Sequence, residues 1–221
     1  MQSNSLSWYD KNTVQKACKV INQNGVVLST TDTVLGLLAT TSVEGRKVID
    51  NMKRRYEKPY LILVDSAKKI NSLVDVQSMF HIEKLIAHCW PGPVTLIVNA
   101  RKDVPAYMKS NQNTIALRVP DHKQLCELLL CTGPLFSTSA NKADQPVPDT
   151  IKEVDSEILA ACALIIGCAS SSVKTLNDEA IQSVSSTILD CTTKNIRIVR
   201  EGAYCINKLE TFYGKPFVRR V

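Results

Sequence analysis

The chain carries Pro134-Leu135-Phe136-Ser137-Thr138-Ser139-Ala140-Asn141, an apolar segment that turns abruptly into a polar one. The apolar part predicts a buried strand, and the polar part predicts a strand end that meets a ligand. In extended chain, residues two apart point to the same side. Ser139 and Asn141 would then present a hydroxyl beside an amide. The same residue types are also typical of a polar turn that caps a following helix, so the segment alone leaves both interpretations open.

A second polar signature, Lys53-Arg54-Arg55, precedes the apolar run Tyr60-Leu61-Ile62-Leu63-Val64. If the signature is extended, Lys53 and Arg55 point in parallel and offer two cations at one place. Two adjacent cations are suited to gripping a polyphosphate, while the hydroxyl and amide of the first signature are suited to orienting a small polar substrate. Taken alone, each cation is also typical of a solvated surface.

Apolar periodicity divides the rest of the chain into helices and short strands. Helices are predicted over 10–24, from a cap at Ser42 to about Lys53, over 78–89 and over 122–131. Strands are predicted at 26–28, 60–64, 94–98, 114–119, 134–138, 163–166, 186–190 and 196–200. Because strands outnumber helices and several are short, the pattern predicts a mixed-sheet α/β (α+β) domain rather than a regular doubly wound one.

The composition is that of one globular domain, 1–221, with enough chain to bury its own core. No apolar run reaches the length of a membrane span, and the first residues lack the basic and apolar regions of a signal peptide. The eight cysteines include no C-x-x-C pair, which favours reduced thiols in the cytoplasm. The formal net charge of +6 suits an anionic ligand, either a nucleotide or RNA, and charge alone does not separate the two.

Several common types of site lack their sequence signals. Neither G-x-x-x-x-G-K-[ST] nor G-x-G-x-x-G occurs. The three histidines have no ligand spacing with cysteines or carboxylates, so neither a metal site nor a Ser-His-Asp arrangement is predicted. If a nucleotide binds, side chains must supply the positive charge. The cations predicted near strand ends or turns are Lys53, Arg55, Arg118 and Arg200.

Seven segments follow one another in a fixed order within about 15–203. They are Ser29-Thr30-Thr31-Asp32-Thr33-Val34-Leu35-Gly36-Leu37, Lys53 and Arg55 with Lys58-Pro59, Trp90-Pro91-Gly92-Pro93-Val94-Thr95-Leu96, Arg118-Val119-Pro120, Ser137-Thr138-Ser139-Ala140-Asn141, Ser186-Thr187-Ile188-Leu189-Asp190, and Arg200-Glu201-Gly202-Ala203. In this order they resemble the YrdC-type family of threonylcarbamoyl-AMP synthases, in its short single-domain form. The resemblance leaves 204–221 as a short C-terminal tail.

The resemblance implies a twisted mixed β-sheet flanked by helices, with a concave, positively charged groove. It implies the synthesis of threonylcarbamoyl-AMP and pyrophosphate from L-threonine, bicarbonate or CO2, and ATP. Mg²⁺ is expected to travel with the ATP. The product is expected to pass to a tRNA threonylcarbamoyl-transferase complex that modifies adenosine in tRNA, and weak binding of tRNA or double-stranded RNA is a further expectation.

The resemblance also implies roles for single residues. The expected catalytic residues are Lys53, Arg55, Ser139 and Asn141. The expected ATP-binding residues are Lys53, Arg55, Lys58, Ser139, Asn141 and Arg200. The expected threonine-binding residues are Thr31, Thr33, Arg118, Ser137 and Ser186, with the guanidinium of Arg118 on the threonine carboxylate.

A few positions depart from the family pattern. They are Thr30, Leu35, Lys142-Ala143, Val147 and Ser185, where the family usually has Pro, an aromatic residue, Ser-Gly, Ser and Pro. These departures put individual contacts in question, whereas the retained S-x-N residues favour an active synthase. Two alternatives stay open. One is a double-stranded RNA or tRNA-binding module, which accounts for the charge but not for the paired signatures, and the other is an inactive paralogue with the same fold.

Overall fold

The secondary structure alternates short strands with helices, and the computed structural model describes residues 5–56, 58–167 and 184–219. The helices are α1 (Thr13–Asn22), α2 (Val43–Lys53), α3 (Val76–Cys89), α4 (Lys123–Thr132), α5 (Ser156–Ala161) and α6 (Ile206–Tyr213). The strands are β1 (Ser5–Ser7), β2 (Val27–Ser29), β3 (Gly36–Thr40), β4 (Leu61–Leu63), β5 (Val94–Asn99), β6 (Thr114–Arg118), β7 (Leu135–Ser139), β8 (Leu164–Gly167), β9 (Thr187–Asp190) and β10 (Arg197–Arg200).

The strands of the described residues form one mixed sheet in the order β1-β8-β2-β3-β7-β4-β6-β5-β9-β10. Antiparallel neighbours such as β3–β7 and β5–β6 stand beside parallel neighbours such as β4–β6 and β5–β9. This mixture of pairings, with helices flanking the sheet, confirms the predicted fold class. The sheet joins segments far apart in sequence, so most of its pairings are non-local.

Two apolar cores lie on opposite faces of the sheet, because successive side chains of a strand point to opposite sides. Leu37 and Ala39 of β3 belong to one core, while Leu38 between them belongs to the other. Helices α1 and α4 pack against each other over the face of Leu38. Helices α2, α3 and α6 bury their apolar sides on the opposite face. The sheet is therefore covered from both sides.

The ends of α2 have clear local causes. The Ser42 hydroxyl accepts a hydrogen bond from the Gly45 amide at 2.9 Å, which confirms the predicted cap. At the other end Arg54 takes a left-handed conformation, with φ 50° and ψ 41°, and this ends the helix. The chain therefore leaves the axis of α2 at Arg54.

Among the described residues, the sequence pattern missed two strands and two α-helices: β1, β3, α5 and α6. Strand β3 follows the threonine-rich loop directly, and Gly36 at its start obscured the apolar run behind it. Helix α6 lies in the segment interpreted as a tail, yet its Leu209 is fully buried and it packs against α3. The remaining predicted helices and strands are present within a few residues of their expected bounds.

Candidate functional site

A row of four residues on neighbouring strands forms the floor of a cavity on the sheet. Ser137 of β7 pairs with Leu61 of β4, Leu61 with Ala116 of β6, and Ala116 with Ile97 of β5. All four line the central cavity, which has a volume of about 350 Å³. Leu63 and Leu135, two residues along the same strands, lie in the core beneath α1 and α4. The cavity therefore occupies the part of this sheet face that α1 and α4 leave open.

Lys53 does not project into the central cavity as the extended interpretation of Lys53-Arg54-Arg55 predicts. It is the last residue of α2, and the left-handed Arg54 separates it from Arg55, so the predicted parallel pair of cations is wrong. Lys53 is 2% exposed, and its Nζ donates to the carbonyl oxygen of Ser139 at 2.6 Å and to Oδ1 of Asn141 at 3.2 Å. A further bond runs from Nζ to the Asn141 carbonyl oxygen. Lys53 thus ties the end of α2 to the end of β7.

Ser139 and Asn141 lie side by side, as the sequence predicts. The Ser139 hydroxyl donates to Oδ1 of Asn141 at 2.5 Å, and Nδ2 of Asn141 donates to the Gln145 carbonyl oxygen at 2.5 Å. The Ala140 amide between them donates to the Leu35 carbonyl oxygen at 3.0 Å. These bonds hold the S-x-N segment in one conformation, with Ser139 in the wall of the central cavity.

Arg55 is the cation of the second signature that lines the central cavity. Its guanidinium lies 5.4 Å from the centre of the Tyr60 ring, and its Nη2 makes a long bond of 3.4 Å to the Pro59 carbonyl oxygen. Its Nε is buried without a hydrogen-bond partner among the described residues. Because a buried donor without a partner is costly, this nitrogen is suited to an incoming anion.

The threonine-rich loop between β2 and β3 is closed on itself. The Thr31 hydroxyl donates to the Val34 carbonyl oxygen at 2.7 Å and accepts from the Thr33 amide at 3.1 Å. Arg118, at the end of β6, holds this loop by donating to the Thr33 hydroxyl at 3.0 Å and by an ion pair of 3.2 Å with Asp32. Thr31, Thr33 and Arg118 all line the central cavity.

Arg200 and Ser186 form the opposite wall of the central cavity. Arg200 donates to the Ser186 carbonyl oxygen from Nε at 3.0 Å and from Nη2 at 2.8 Å. The Ser186 hydroxyl lies 2.9 Å from that of Thr95. Gly202 allows this arrangement, since a Cβ there would lie 2.2 Å from the Ser185 carbonyl oxygen. The closing R-E-G-A segment therefore needs a glycine at 202 for close packing, and it also supplies one cation, Arg200.

The electrostatics of the central cavity favour an anion. Its lining contains Arg55, Arg118 and Arg200, and no acidic residue among the described ones. Burial is the largest cause that lowers the pKa of Arg118, which its pair with Asp32 opposes, and burial also lowers the pKa of Arg200. Burial, and to a smaller extent the nearby charge of Arg55, lowers the pKa of Lys53 to about 8. A bound anion would offset each of these penalties.

Most of the residues expected at the site meet around the central cavity. Those in its lining are Thr31, Thr33, Arg55, Arg118, Ser137, Ser139, Ser186 and Arg200. Lys53 and Asn141 stand directly behind Ser139, and Lys58 is an exposed residue outside the lining. No role was predicted for Thr95 and Tyr60, which line the cavity, or for Asp32, which pairs with Arg118. A threonine inside an otherwise apolar strand was the signal for Thr95.

The departures from the family pattern are accommodated locally. The Thr30 carbonyl oxygen accepts from the Trp8 indole at 3.1 Å, and Leu35 is buried in the apolar core. Val147 and Ser185 both line the central cavity. Lys142 forms ion pairs with Asp155 at 2.9 Å and Glu157 at 2.7 Å. None of these side chains blocks the cavity or breaks the hydrogen bonds of the S-x-N segment.

No group of three or more histidine, cysteine, aspartate or glutamate side chains in the described ranges could hold a metal ion. Among the same residues, no helix has the length and apolar character needed to cross a membrane. The cysteines that the structure describes are free thiols, and Cys168 lies outside the described residues.

A mixed sheet that carries three arginines, several hydroxyls and a fixed amide around an open cavity defines an α/β protein with an arginine-lined cavity on its sheet. Residues 19–202 match the family model of Sua5, YciO and YrdC proteins, which carries the description "Telomere recombination". The chain belongs to this family. The seven segments that carried the resemblance all lie within or beside the matched residues.

Curated relatives cover most of the chain. A putative threonylcarbamoyl-AMP synthase of Methanocaldococcus jannaschii is 30% identical over 193 residues, which are 86% of this chain and 86% of that protein. A threonylcarbamoyl-AMP synthase of Stutzerimonas stutzeri is 31% identical over 135 residues, which are 60% of this chain and 72% of that protein.

Solved structures share the fold. P. abyssi Sua5 complexed with L-threonine superposes with a TM-score of 0.83 at 23% identity, and E. coli YciO with 0.74 at 18% identity. The chain is covered to 97% and 93% in these comparisons, and it spans 61% of the Sua5 chain and 96% of the YciO chain. At these identities the likeness concerns the architecture, which is that of the family.

Proposed function

We propose that this protein is an L-threonylcarbamoyladenylate synthase, a nucleotidyltransferase that makes threonylcarbamoyl-AMP and pyrophosphate from L-threonine, bicarbonate or CO2, and ATP. One observation supports it above the others: a single cavity gathers the arginines and hydroxyls of separate segments in a chain whose relatives carry that name. The chemistry requires positioning and charge neutralisation rather than an enzyme nucleophile.

The reaction takes place in two bond-forming steps. The lone pair of the threonine amine attacks the carbon of CO2, and the amine loses a proton, which gives a carbamate. A carbamate oxygen then attacks the α-phosphorus of ATP in line, and the bond from that phosphorus to the bridging oxygen breaks as pyrophosphate leaves. When bicarbonate is the source of the carbon, water is a further product.

Arg55 and Arg200 are the residues we assign to the phosphates of ATP. Both line the central cavity from opposite walls, and the buried Nε of Arg55 has no partner among the described residues. The guanidiniums would neutralise charge that moves to pyrophosphate in the transition state. Lys53 would act behind them, since its Nζ fixes the S-x-N segment. Ser139 and Asn141 would orient ATP and the carbamate, and the exposed Lys58 would contact the outer phosphates.

Arg118 and the hydroxyls around it are assigned to threonine. Arg118 is 2% exposed and is held by Asp32 and Thr33, and its Nε has no hydrogen-bond partner in the described ranges. That donor suits the threonine carboxylate. The hydroxyl residues expected around the amino acid are Thr31, Thr33, Ser137 and Ser186. They would satisfy the threonine hydroxyl, and valine should therefore be a poor substitute.

The metal ion, the fate of the product and the contact with tRNA complete the proposal. ATP would bring Mg²⁺ with it, bound to its phosphate oxygens. The acyl-adenylate would pass to a tRNA threonylcarbamoyl-transferase complex in the cytoplasm. The charge of +6 suits ATP first and weak contact with tRNA second.

The test is incubation of the protein with ATP, L-threonine and bicarbonate while pyrophosphate release is followed. We expect release that depends on threonine and on bicarbonate, and an acyl-adenylate of the corresponding mass. No release would contradict the proposal and favour an inactive paralogue or an RNA-binding module. Release that does not depend on threonine would contradict the assignment of threonine as the substrate. Arg101→Ala is a matched control, because Arg101 pairs with Asp103 outside the lining of the cavity.

A further inference from the structure

Glu157 of α5 contacts both polar signatures at once. Its Oε2 lies 3.2 Å from Nη2 of Arg54, the middle residue of Lys53-Arg54-Arg55, and 2.7 Å from Nζ of Lys142, which follows Ser139-Ala140-Asn141. The two signatures are far apart in sequence, and one carboxylate oxygen connects them. Lys142 is also one of the departures from the family pattern.

Asp155 completes the arrangement at the start of α5. One of its oxygens accepts from the Glu157 amide at 2.8 Å, and the other pairs with Lys142 at 2.9 Å. The Lys142 side chain is 22% exposed even though it carries a full charge. Two carboxylates thus neutralise one half-buried lysine, and this contact joins the loop after β7 to α5.

The loop that Lys142 anchors determines the position of the S-x-N segment. The Ala143 amide donates to the Lys53 carbonyl oxygen at 3.1 Å, and Asn141 is bonded to Gln145. Asn141, Lys142 and Asp155 also line a second cavity, of about 400 Å³, which shares Val147 with the central one. A shift of this loop would therefore change the wall between the two cavities.

We propose that Asp155 and Glu157 are positioning residues that hold Lys142 and Arg54, and through them align the S-x-N segment with Arg55 for ATP binding. We call the four side chains the ionic clasp. The inference rests on the proposed function for its kinetic and nucleotide-binding parts, whereas the hydrogen-exchange part is independent of it. Exposed ion pairs contribute little to global stability. A carboxylate that pairs with two cations therefore acts mainly by fixing the relative position of the two segments that carry them.

The experiment compares the full chain with Glu157→Gln, Lys142→Met and Lys142→Arg. Lys152→Met is the matched control, because Lys152 is exposed and its loss changes the net charge by the same amount as the loss of Lys142. Three quantities are measured: hydrogen exchange of the amides of 139–146, the dissociation constant of a non-hydrolysable ATP analogue, and kcat and KM for pyrophosphate release.

At low salt, Glu157→Gln and Lys142→Met should exchange these amides faster and bind the analogue about two- to fivefold more weakly. KM for ATP should rise more than kcat falls. Lys142→Arg should behave as the wild type. The differences between the other two variants and the wild type should shrink at high salt, because the screening length falls to about 3 Å at 1 M. The melting temperature of each variant should stay within a few degrees of the wild type.

Unchanged exchange and unchanged analogue affinity in Glu157→Gln would overturn the inference. A lower melting temperature with wild-type affinity would do so as well, since it would indicate a purely structural role. A wild-type protein that releases no pyrophosphate would contradict the proposed function alone. Hydrogen exchange would still decide whether the ionic clasp positions the loop.

Discussion

Arg55 and Lys53 carry adjacent charges but are expected to respond differently to substitution. Arg55→Ala should lower kcat/KM for ATP by about 10²- to 10³-fold and leave thermal stability near that of the wild type, because its hydrogen bonding to the protein is weak. Lys53→Met should lower activity and stability together. It leaves the buried carbonyl oxygens of Ser139 and Asn141 without their donor, at a cost of about 1–3 kcal/mol.

Pyrophosphate release and thermal unfolding, measured side by side, check this distinction, with Arg101→Ala as the control. Equal loss of stability in Arg55→Ala and Lys53→Met would contradict it. So would a Lys53→Met protein as stable as the wild type, because the lysine would then not tie α2 to β7.

As Lys53 loses its proton with rising pH, its effects on stability and on ligand affinity should run in opposite directions. Its pKa in the folded protein is lowered to about 8 from an ordinary value of 10.5. Between these values the unfolded chain binds more protons than the folded one, so the contribution of Lys53 to the free energy of unfolding rises with pH. Over the same range the site loses a positive charge. Affinity for an ATP analogue should therefore fall as pH rises above 8.

Binding of a non-hydrolysable ATP analogue is the suitable measurement, since it avoids the titration of threonine and bicarbonate. Lys53→Met should lack the decline above pH 8 that the wild type shows. If both proteins bind the analogue with the same dependence on pH, then the ammonium of Lys53 does not influence the nucleotide. Bound phosphates should raise the pKa of Lys53, so the decline should be weaker at saturating analogue.

At the scale of elements, local sequence signals predicted most helices and strands. They failed at a few positions where the tertiary structure determines the backbone conformation. The cap at Ser42 and the strand before Ser139 were predictable, because capping and apolar runs act within a few residues. Strand β3 was not, because the threonine-rich loop and Gly36 before its apolar residues give no strand signal, although β3 pairs with the nearby β2 as well as with the distant β7. The turn at Arg54 was missed for a related reason: a left-handed arginine has no sequence signature, and it separates Lys53 from Arg55.

The segment after β10 packs against the segment before β9, and this junction provides a prediction about packing between elements. Gly202→Ala would place a Cβ 2.2 Å from the Ser185 carbonyl oxygen and 2.5 Å from the Ser186 carbonyl carbon. The two segments would have to separate, which should cost about 1–3 kcal/mol of stability and displace Arg200 from Ser186. Thermal unfolding and KM for ATP measure these effects. Glu201→Gln is the control next to it, and a Gly202→Ala protein with wild-type KM would show that the junction does not position Arg200.

At the scale of the whole molecule, the order of strands explains how segments spread over the chain form one site. Strands β7, β4, β6 and β5 are neighbours in the sheet, and their paired residues form the floor of the central cavity. Sequence motifs identified which residues belong together, but no local rule gives the sheet order that brings them together. The sequence motifs therefore contain most of the residues that line the central cavity, while contacts such as those of Lys53 and Asp32 were not predictable.

The net charge of +6 suits both ATP and RNA, and the last prediction concerns whether the reaction with ATP needs RNA. Each contact with an RNA phosphate releases counterions, so RNA binding should weaken steeply as salt rises. ATP held by arginines inside a cavity depends on salt much less, because partly buried contacts are screened less. We expect the adenylate to form without any tRNA, and excess tRNA to inhibit weakly at most at physiological salt. Pyrophosphate release across a salt series, with and without tRNA, is the measurement. An absolute requirement for tRNA would contradict this prediction, because RNA recognition would then be the primary role of the positive charge.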